Sequence, residues 1–317
     1  MALESSKPPK RLHIRFPQEA STSKTIPQDE ETCEIVEGDK VTTVRFHDYA
    51  QVFSIPGLYD QLFGGPDSET KCISPQVIAG LLNEHLPSIK TRNPVSHNAA
   101  LHNDGKSNVL RILDFGAGNG MIGEEIRRSV HLDNNNKSTL WQNIFILGWD
   151  ILPEAKQATA RDRPGIYNDY TVADINKHNK TLTPSSTDNN TNNSFDILTA
   201  ASALSFGGNA TLNAFKAAAS LIRPGGLLIF NLNEKALDVA SLQQEEQQQH
   251  STSDNHQPAS GQVPKAKPDG FLGMLSEAMD NNRLTILETK RYCHRLSVTG
   301  KELYYVAVVA LKHGDLG

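Results

Sequence analysis

Cysteine is scarce in this chain. Cys33, Cys72 and Cys293 are far apart, and none belongs to a Cys-x-x-Cys or a Cys/His ligand spacing. That pattern excludes a zinc-knuckle cluster and a dense disulfide framework, so no metal site is expected. A low, odd count suits a reducing compartment, and the expectation is a cytoplasmic protein. Long apolar runs are missing too. None reaches 18 residues, and the opening "MALESSKPPKRLHIR" lacks an apolar core. Neither a membrane span nor a signal peptide is therefore expected. Positive charge is not in excess: the net charge is −5, and the tightest basic cluster is "KRYCHR" at 290–295. Such a cluster reads as a solvated strand face, so nucleic acid is not an expected partner. No repeat period is visible, and nothing in the pattern sets an oligomeric state.

What is present is enough apolar material for a substantial core: 317 residues, 38% of them hydrophobic. Residues 1–31 are rich in Ser, Pro, Lys and Glu and are expected to form a disordered tail. "CEIVEGDKVTTVRF" carries two β-branched runs around Gly38-Asp39, which predicts a hairpin with a type II′ turn. In "HDYAQVFSIPGLYDQLFGG", Pro56 splits two short helices that carry Tyr49, Phe53, Tyr59 and Phe63. "SPQVIAGLLNEHL" predicts a helix with Ser74 as N-cap and Pro75 in the first helical position. Residues 32–90 thus read as a hairpin followed by a helical lid.

From about 109 onward, strand and helix patterns alternate. Strands are predicted in "VLRILDF", "NIFILGWD", "YNDYTVADI", "FDILTAASAL" and "GGLLIFNLN", with helices between them. Serial βα units argue for a parallel sheet covered by helices on both faces. "LTILETKRYCHRLS" and "ELYYVAVVAL" are separated only by a short turn, so they must pair antiparallel. Residues 91–317 form this core, interrupted near 131–142, 177–194 and 241–269 by Asn- or Gln-rich stretches expected to be disordered loops.

The sharpest signal is "LRILDFGAGNGMIGEEI" at 110–126. Gly116, Gly118 and Gly120 follow a strand and open a helix, an arrangement that presents bare backbone N–H groups to a ligand. "GNGMIG" fits the dinucleotide pattern, whereas "DFGAGNG" fits the acidic glycine pattern associated with S-adenosylmethionine (SAM). Asp150, ending the second strand, suits ribose hydroxyls in either case. Asp114 tips the balance, because a carboxylate beside the turn suits a cationic aminoacyl group and opposes a pyrophosphate. Asp174 ends the third strand, where it can meet an adenine amino group.

With its motifs in the order "LDFGAGNG", "GWDILPEA", "VADI", "FDILTAASAL", "RPGGLLIFNL", the chain resembles the class I SAM-dependent methyltransferases over about 109–233 and into the final hairpin. Its flanks are similar to those of a less characterised branch, the Williams–Beuren-region methyltransferase-like proteins. The resemblance implies a Rossmann-like α/β fold, with a seven-stranded, mostly parallel sheet of order 3-2-1-4-5-7-6 and an antiparallel last hairpin. It also implies SAM as cofactor. Gly116, Gly118 and Gly120 would line the methionine part and ribose, and Asp114 would help hold the amino group. Asp150 would take the ribose hydroxyls, Ile151 would pack on the adenine, and Asp174 and Ile175 would frame its other edge. Ala200 and Ala201 would lie beneath the transferring methyl.

Methyl transfer is an in-line displacement and needs a base only for a protonated acceptor. Tyr49, Tyr59 and His294 are the candidate catalytic residues. His47, Asp48 and Arg295 stand beside them as further candidates near the acceptor. Arg161 and Arg163 read as surface charges at a helix C-terminus. A small-molecule acceptor is expected and a protein acceptor is the alternative. "Asn-Pro-Pro-Tyr", the signature of planar nitrogen acceptors, is missing after the fourth strand. Two other functions fit parts of the pattern: an NAD-dependent oxidoreductase, and a non-catalytic scaffold of the same fold.

Overall fold

The computed structural model describes residues 11–16, 26–89, 109–132, 143–177, 195–204, 208–234 and 270–316. The loops expected near 131–142, 177–194 and 241–269 lie almost wholly outside the described residues.

Alternating side chains build the core. β4 (Leu110–Phe115), β5 (Ile144–Asp150), β6 (Asp169–Val172), β7 (Phe195–Ala200) and β8 (Ile222–Asn233) run parallel. β9 (Leu284–Leu296) and β10 (Glu302–Lys312) pair antiparallel, and β10 inserts antiparallel against β8. The order is β6-β5-β4-β7-β8-β10-β9, the 3-2-1-4-5-7-6 arrangement. Leu113, Leu147, Leu198, Leu228 and Phe230 point to one face. There they meet α6 (Gly208–Ser220) and α7 (Gly270–Asp280) through Phe215, Ala218, Met274 and Leu275. Their neighbours Ile112, Ile146, Ile197, Leu227 and Ile229 point to the other face. These meet α3 (Ser74–His85) and α4 (Met121–Leu132) through Ile78, Leu82, Ile122 and Ile126. Period-2 burial on both faces is why the strands read as nearly continuous apolar runs. Each fully buried Leu or Ile contributes about 1.5–3 kcal/mol.

The N-terminal segment is more ordered than its composition predicts. Within the expected tail, β1 (Ile14–Arg15) pairs antiparallel with β2 (Thr32–Glu37). β2 and β3 (Lys40–Arg45) form the predicted hairpin, with φ +61° at Gly38 and not at Asp39, as a type II′ turn requires. α1 (Tyr49–Ser54) and α2 (Leu58–Phe63) are divided at Pro56-Gly57, where Gly57 has φ +77°. Asp48 caps α1, accepting from the Gln51 N–H at 3.2 Å.

Ser74 does not cap α3. It is the first helical residue, and its hydroxyl lies 2.6 Å from both Tyr292 Oη and His294 Nδ1 on β9. A buried partner across the sheet outcompetes the local cap. Arg161 and Arg163, at the end of α5 (Pro153–Asp162), are also not solvent-facing caps. Arg161 donates to the Phe53 carbonyl at 3.1 and 3.2 Å. Arg163 bridges Asp60 (3.0 Å) on α2 and Glu124 (2.6 Å) on α4. The arginines thus fasten the lid helices to the sheet domain. Among the described residues no helix is long and apolar enough to cross a membrane, and all three cysteines are free.

Candidate active site

The turn after β4 brings the glycines into positive φ, +70° at Gly116, +53° at Gly118 and +92° at Gly120. Close neighbours explain part of that need. A Cβ on Gly116 would stand 2.4 Å from the Ala203 Cβ, and one on Gly118 would meet the Phe53 ring at 3.2 Å. Gly120 faces Ile166, Arg163 and Thr159. The turn is therefore bare both to let α1 and the turn after β7 come close and to border a crevice.

That crevice is a cavity of about 450 Å³ at the C-terminal ends of β4, β5, β6 and β7. Such clefts at strand ends, where the strand order reverses, are the usual ligand positions of open α/β sheets. Of the residues named from sequence, it gathers Tyr49, Tyr59, Gly116, Gly118, Asp150, Ile151, Asp174, Ile175 and Ala201 on one wall or another. Phe53, an aromatic of the predicted lid, and Ser202 also line it, as do Phe115, Trp149 and Thr211, which carried no sequence signal. Trp149 is fixed by its indole N–H, which donates to the Ala173 carbonyl at 2.8 Å.

Asp150 is oriented by two backbone N–H groups. Its Oδ2 accepts the Gly118 N–H and its Oδ1 the Leu152 N–H, each at 3.0 Å. The Ile151 N–H is a third donor to the carboxylate, which leaves one of its four lone-pair positions. Burial pushes its pKa up, against these N–H bonds. Ile151 beside it is 63% exposed and lines the cavity mouth as apolar surface. Asp174 accepts from the Asn176 N–H at 3.0 Å, and that bond lowers its pKa.

Asp114 is placed differently. It is fully buried and does not line the cavity. Tyr167 donates to Oδ2 at 2.5 Å and Thr199 to Oδ1 at 3.0 Å. Burial raises its pKa to about 7 despite both bonds. The electrostatic contrast drawn from sequence between a cationic group and a pyrophosphate loses its basis, because this carboxylate faces protein. Gly120 and Ala200 also lie outside the cavity lining, Ala200 as the fully buried last residue of β7.

A smaller cavity of about 40 Å³ adjoins the first, sharing Tyr59, Gly116, Gly118, Ala201 and Ser202 with it. Asn119, Met121 and Ile122 line its far side at the start of α4. Asn119 is 1% exposed. Its amide nitrogen donates to Asp60 Oδ1 at 2.8 Å, while its Oδ1 is buried with no partner among the described residues. The carboxylate partner fixes which end is oxygen. A buried acceptor without a donor costs about 1–3 kcal/mol.

No protein-family model and no curated protein matches the chain. Solved structures similar to it include an S-adenosylmethionine-dependent methyltransferase from Clostridium acetobutylicum. That protein is 12% identical over 81% of this chain and 97% of the other, with TM-score 0.41. The N-methyltransferase NodS from Bradyrhizobium japonicum is 13% identical over 75% of this chain and 95% of its own, TM-score 0.40. A TehB-like SAM-dependent methyltransferase from Corynebacterium glutamicum is 16% identical over 64% and 80%, TM-score 0.34.

The three candidate catalytic residues separate. Tyr49 lies 3.1 Å from His47 Nδ1, and His47 Nε2 lies 3.0 Å from the Gln28 carbonyl. A carbonyl only accepts, so Nε2 carries the proton and Nδ1 accepts from the phenol. Burial and the nearby Arg295 lower the His47 pKa, so the ring is neutral. Burial pushes the Tyr49 and Tyr59 phenols up. His294 does not line the cavity: it is buried, stacked on Tyr305 at 3.9 Å, and kept neutral by burial. Arg295 is buried in an ion pair with Glu31.

Proposed function

We propose that this protein is a SAM-dependent methyltransferase acting on a small-molecule acceptor. One observation carries the reading: at the reversal point of a 3-2-1-4-5-7-6 sheet, a glycine turn and an oriented Asp150 face the same apolar, aromatic cavity.

The residues present fit the cofactor. Asp150 has an acceptor position for a ribose hydroxyl, and Ile151 and Ile175 offer apolar surface for an adenine ring, with Asp174 at its edge. The N–H groups of the first turn of α4, at Met121 and Ile122, suit a carboxylate. Bound SAM would supply a methyl already activated on a sulfonium. The chain's own part is then alignment, worth up to roughly 7–11 kcal/mol when both reactants are held. Phe53, Tyr49 and Tyr59 close the cavity from the lid side and exclude water. On the acceptor's side, Tyr49 is fixed by its hydrogen bond to the neutral His47 ring and lines the same cavity. Tyr59 borders both cavities.

The test is a calorimetric titration with SAM, S-adenosylhomocysteine (SAH) and NAD. Binding of SAM and SAH with no NAD binding is the expected result. Preferential NAD binding would replace this reading by an oxidoreductase, and binding of none by a scaffold.

A further inference from the structure

The cavity floor contains a backbone conformation that ought not to persist by itself. Ser202, just past β7, has φ +60°. A non-glycine residue there costs on the order of 1 kcal/mol and persists only where its surroundings impose it. The imposing group is Asn231, fully buried on β8, whose Oδ1 accepts the Ser202 N–H at 2.6 Å.

Asn231 is held in turn. Its amide nitrogen donates to Ser74 Oγ at 3.0 Å and to Tyr292 Oη at 2.6 Å. The Ser74 hydroxyl lies 2.6 Å from the neutral His294 Nδ1. Asn231 donates to both hydroxyls, and the proton order along the rest follows the His294 tautomer: Tyr292 to Ser74 to His294 Nδ1, or His294 Nδ1–H to Ser74 to Tyr292.

This matters at the cavity because Ser202 and its neighbours border both hollows, and Ala203 presses on Gly116 where no Cβ fits. The bend at Ser202 therefore sets the gap between the glycine turn and the turn after β7.

We infer that Asn231, braced by Ser74, Tyr292 and His294, is the positioning residue of the cavity floor: it holds Ser202 left-handed and so fixes the width of the cofactor cleft. His294 then acts on ligand affinity without touching the ligand. The inference rests on the methyltransferase reading for its ligand, but the hold on Ser202 is measurable without one.

Amide hydrogen exchange and SAH calorimetry together test it in the full chain. In the wild type, the Ser202 amide should exchange slowly. Asn231→Asp keeps an acceptor and should keep that protection. Asn231→Leu removes it, and SAH affinity should fall about tenfold. Adding Ser202→Gly to Asn231→Leu should restore SAH affinity to within about threefold, because glycine takes positive φ unaided. It should not restore the stability lost by orphaning Ser74 and Tyr292. Ser202→Gly alone reports any direct role of the hydroxyl. His294→Leu should weaken SAH and His294→Gln, which can accept from or donate to Ser74, should not. If Asn231→Leu does not fold, the His294 pair and the Asp variant carry the test. A freely exchanging Ser202 amide in the wild type would overturn the inference. So would loss of affinity in Asn231→Leu that Ser202→Gly leaves unrepaired. Failure of the wild type to bind SAH would instead remove the methyltransferase reading, with Ser202 exchange still deciding the hold.

Discussion

At the scale of single residues, two aspartates near one turn have opposite duties, and only the structure separates them. Asp150 keeps one acceptor position beside the cavity, whereas Asp114 spends both oxygens on Tyr167 and Thr199. Asp150→Ala should weaken SAH binding at least tenfold, about 1.4 kcal/mol, and calorimetry that finds unchanged affinity would remove it from the site. Asp114 makes a different prediction. Its carboxyl is raised from 3.8 to about 7 by burial. Below about pH 4 both folded and unfolded chains hold the proton. Between there and pH 7 the unfolded chain ionises while the folded one does not, so stability falls as pH rises through that window. Above it the loss is constant, on the order of 4 kcal/mol. Asp114→Asn cannot ionise and should gain on the wild type between about pH 4 and pH 7.5 in urea unfolding. A pH-independent difference would show that Asp114 is ionised in the folded state. The place of Asp150 at the cavity was legible because strand ends can be read from local pattern. That of Asp114 was not, because its partners lie 53 and 85 residues away.

Among elements, the strands were legible, since buried strands are apolar on both faces and the glycine turn marks the first of them; their order came only with the resemblance carried by the motif series. The lid's attachment was not. Arg163 reads as a helix-end charge, yet its side chain is only 11% exposed and its partners sit on two other helices. Tertiary pairing of this kind leaves no periodicity to find. The same applies to β1, too short at two residues to show alternation. Asp60 and Glu124 are each about a third exposed, so screening limits what the bridges contribute. Arg163→Met, which keeps the apolar stem, should cost roughly 1–2 kcal/mol. Hydrogen exchange should locate the loss: α2 amides should exchange faster while β4 and β5 stay protected. Equal acceleration everywhere would mean that Arg163 stabilises the domain rather than the lid.

For the whole molecule, the question is whether the three-stranded sheet is an appendage or part of one cooperative unit. Glu31 and Arg295 decide it. They are 0% and 2% exposed and form an ion pair between the start of β2 and the end of β9. Glu31 Oε1 also accepts the Val298 N–H at 2.9 Å, and the guanidinium faces the Phe46 and Phe63 rings at 5.5 and 5.8 Å. Removing one member strands a buried charge, at a cost of about 3–5 kcal/mol, whereas removing both leaves none. Glu31→Leu should therefore lower the urea midpoint sharply, and Glu31→Leu with Arg295→Met should recover much of the loss. Because the pair joins the N-terminal sheet to the antiparallel hairpin of the main sheet, the wild type should unfold in one transition by fluorescence and circular dichroism alike. Two separated transitions, with Glu31→Leu shifting only the first, would make the N-terminal sheet an independent unit. The lid it carries over the cavity would then open without cost to the core.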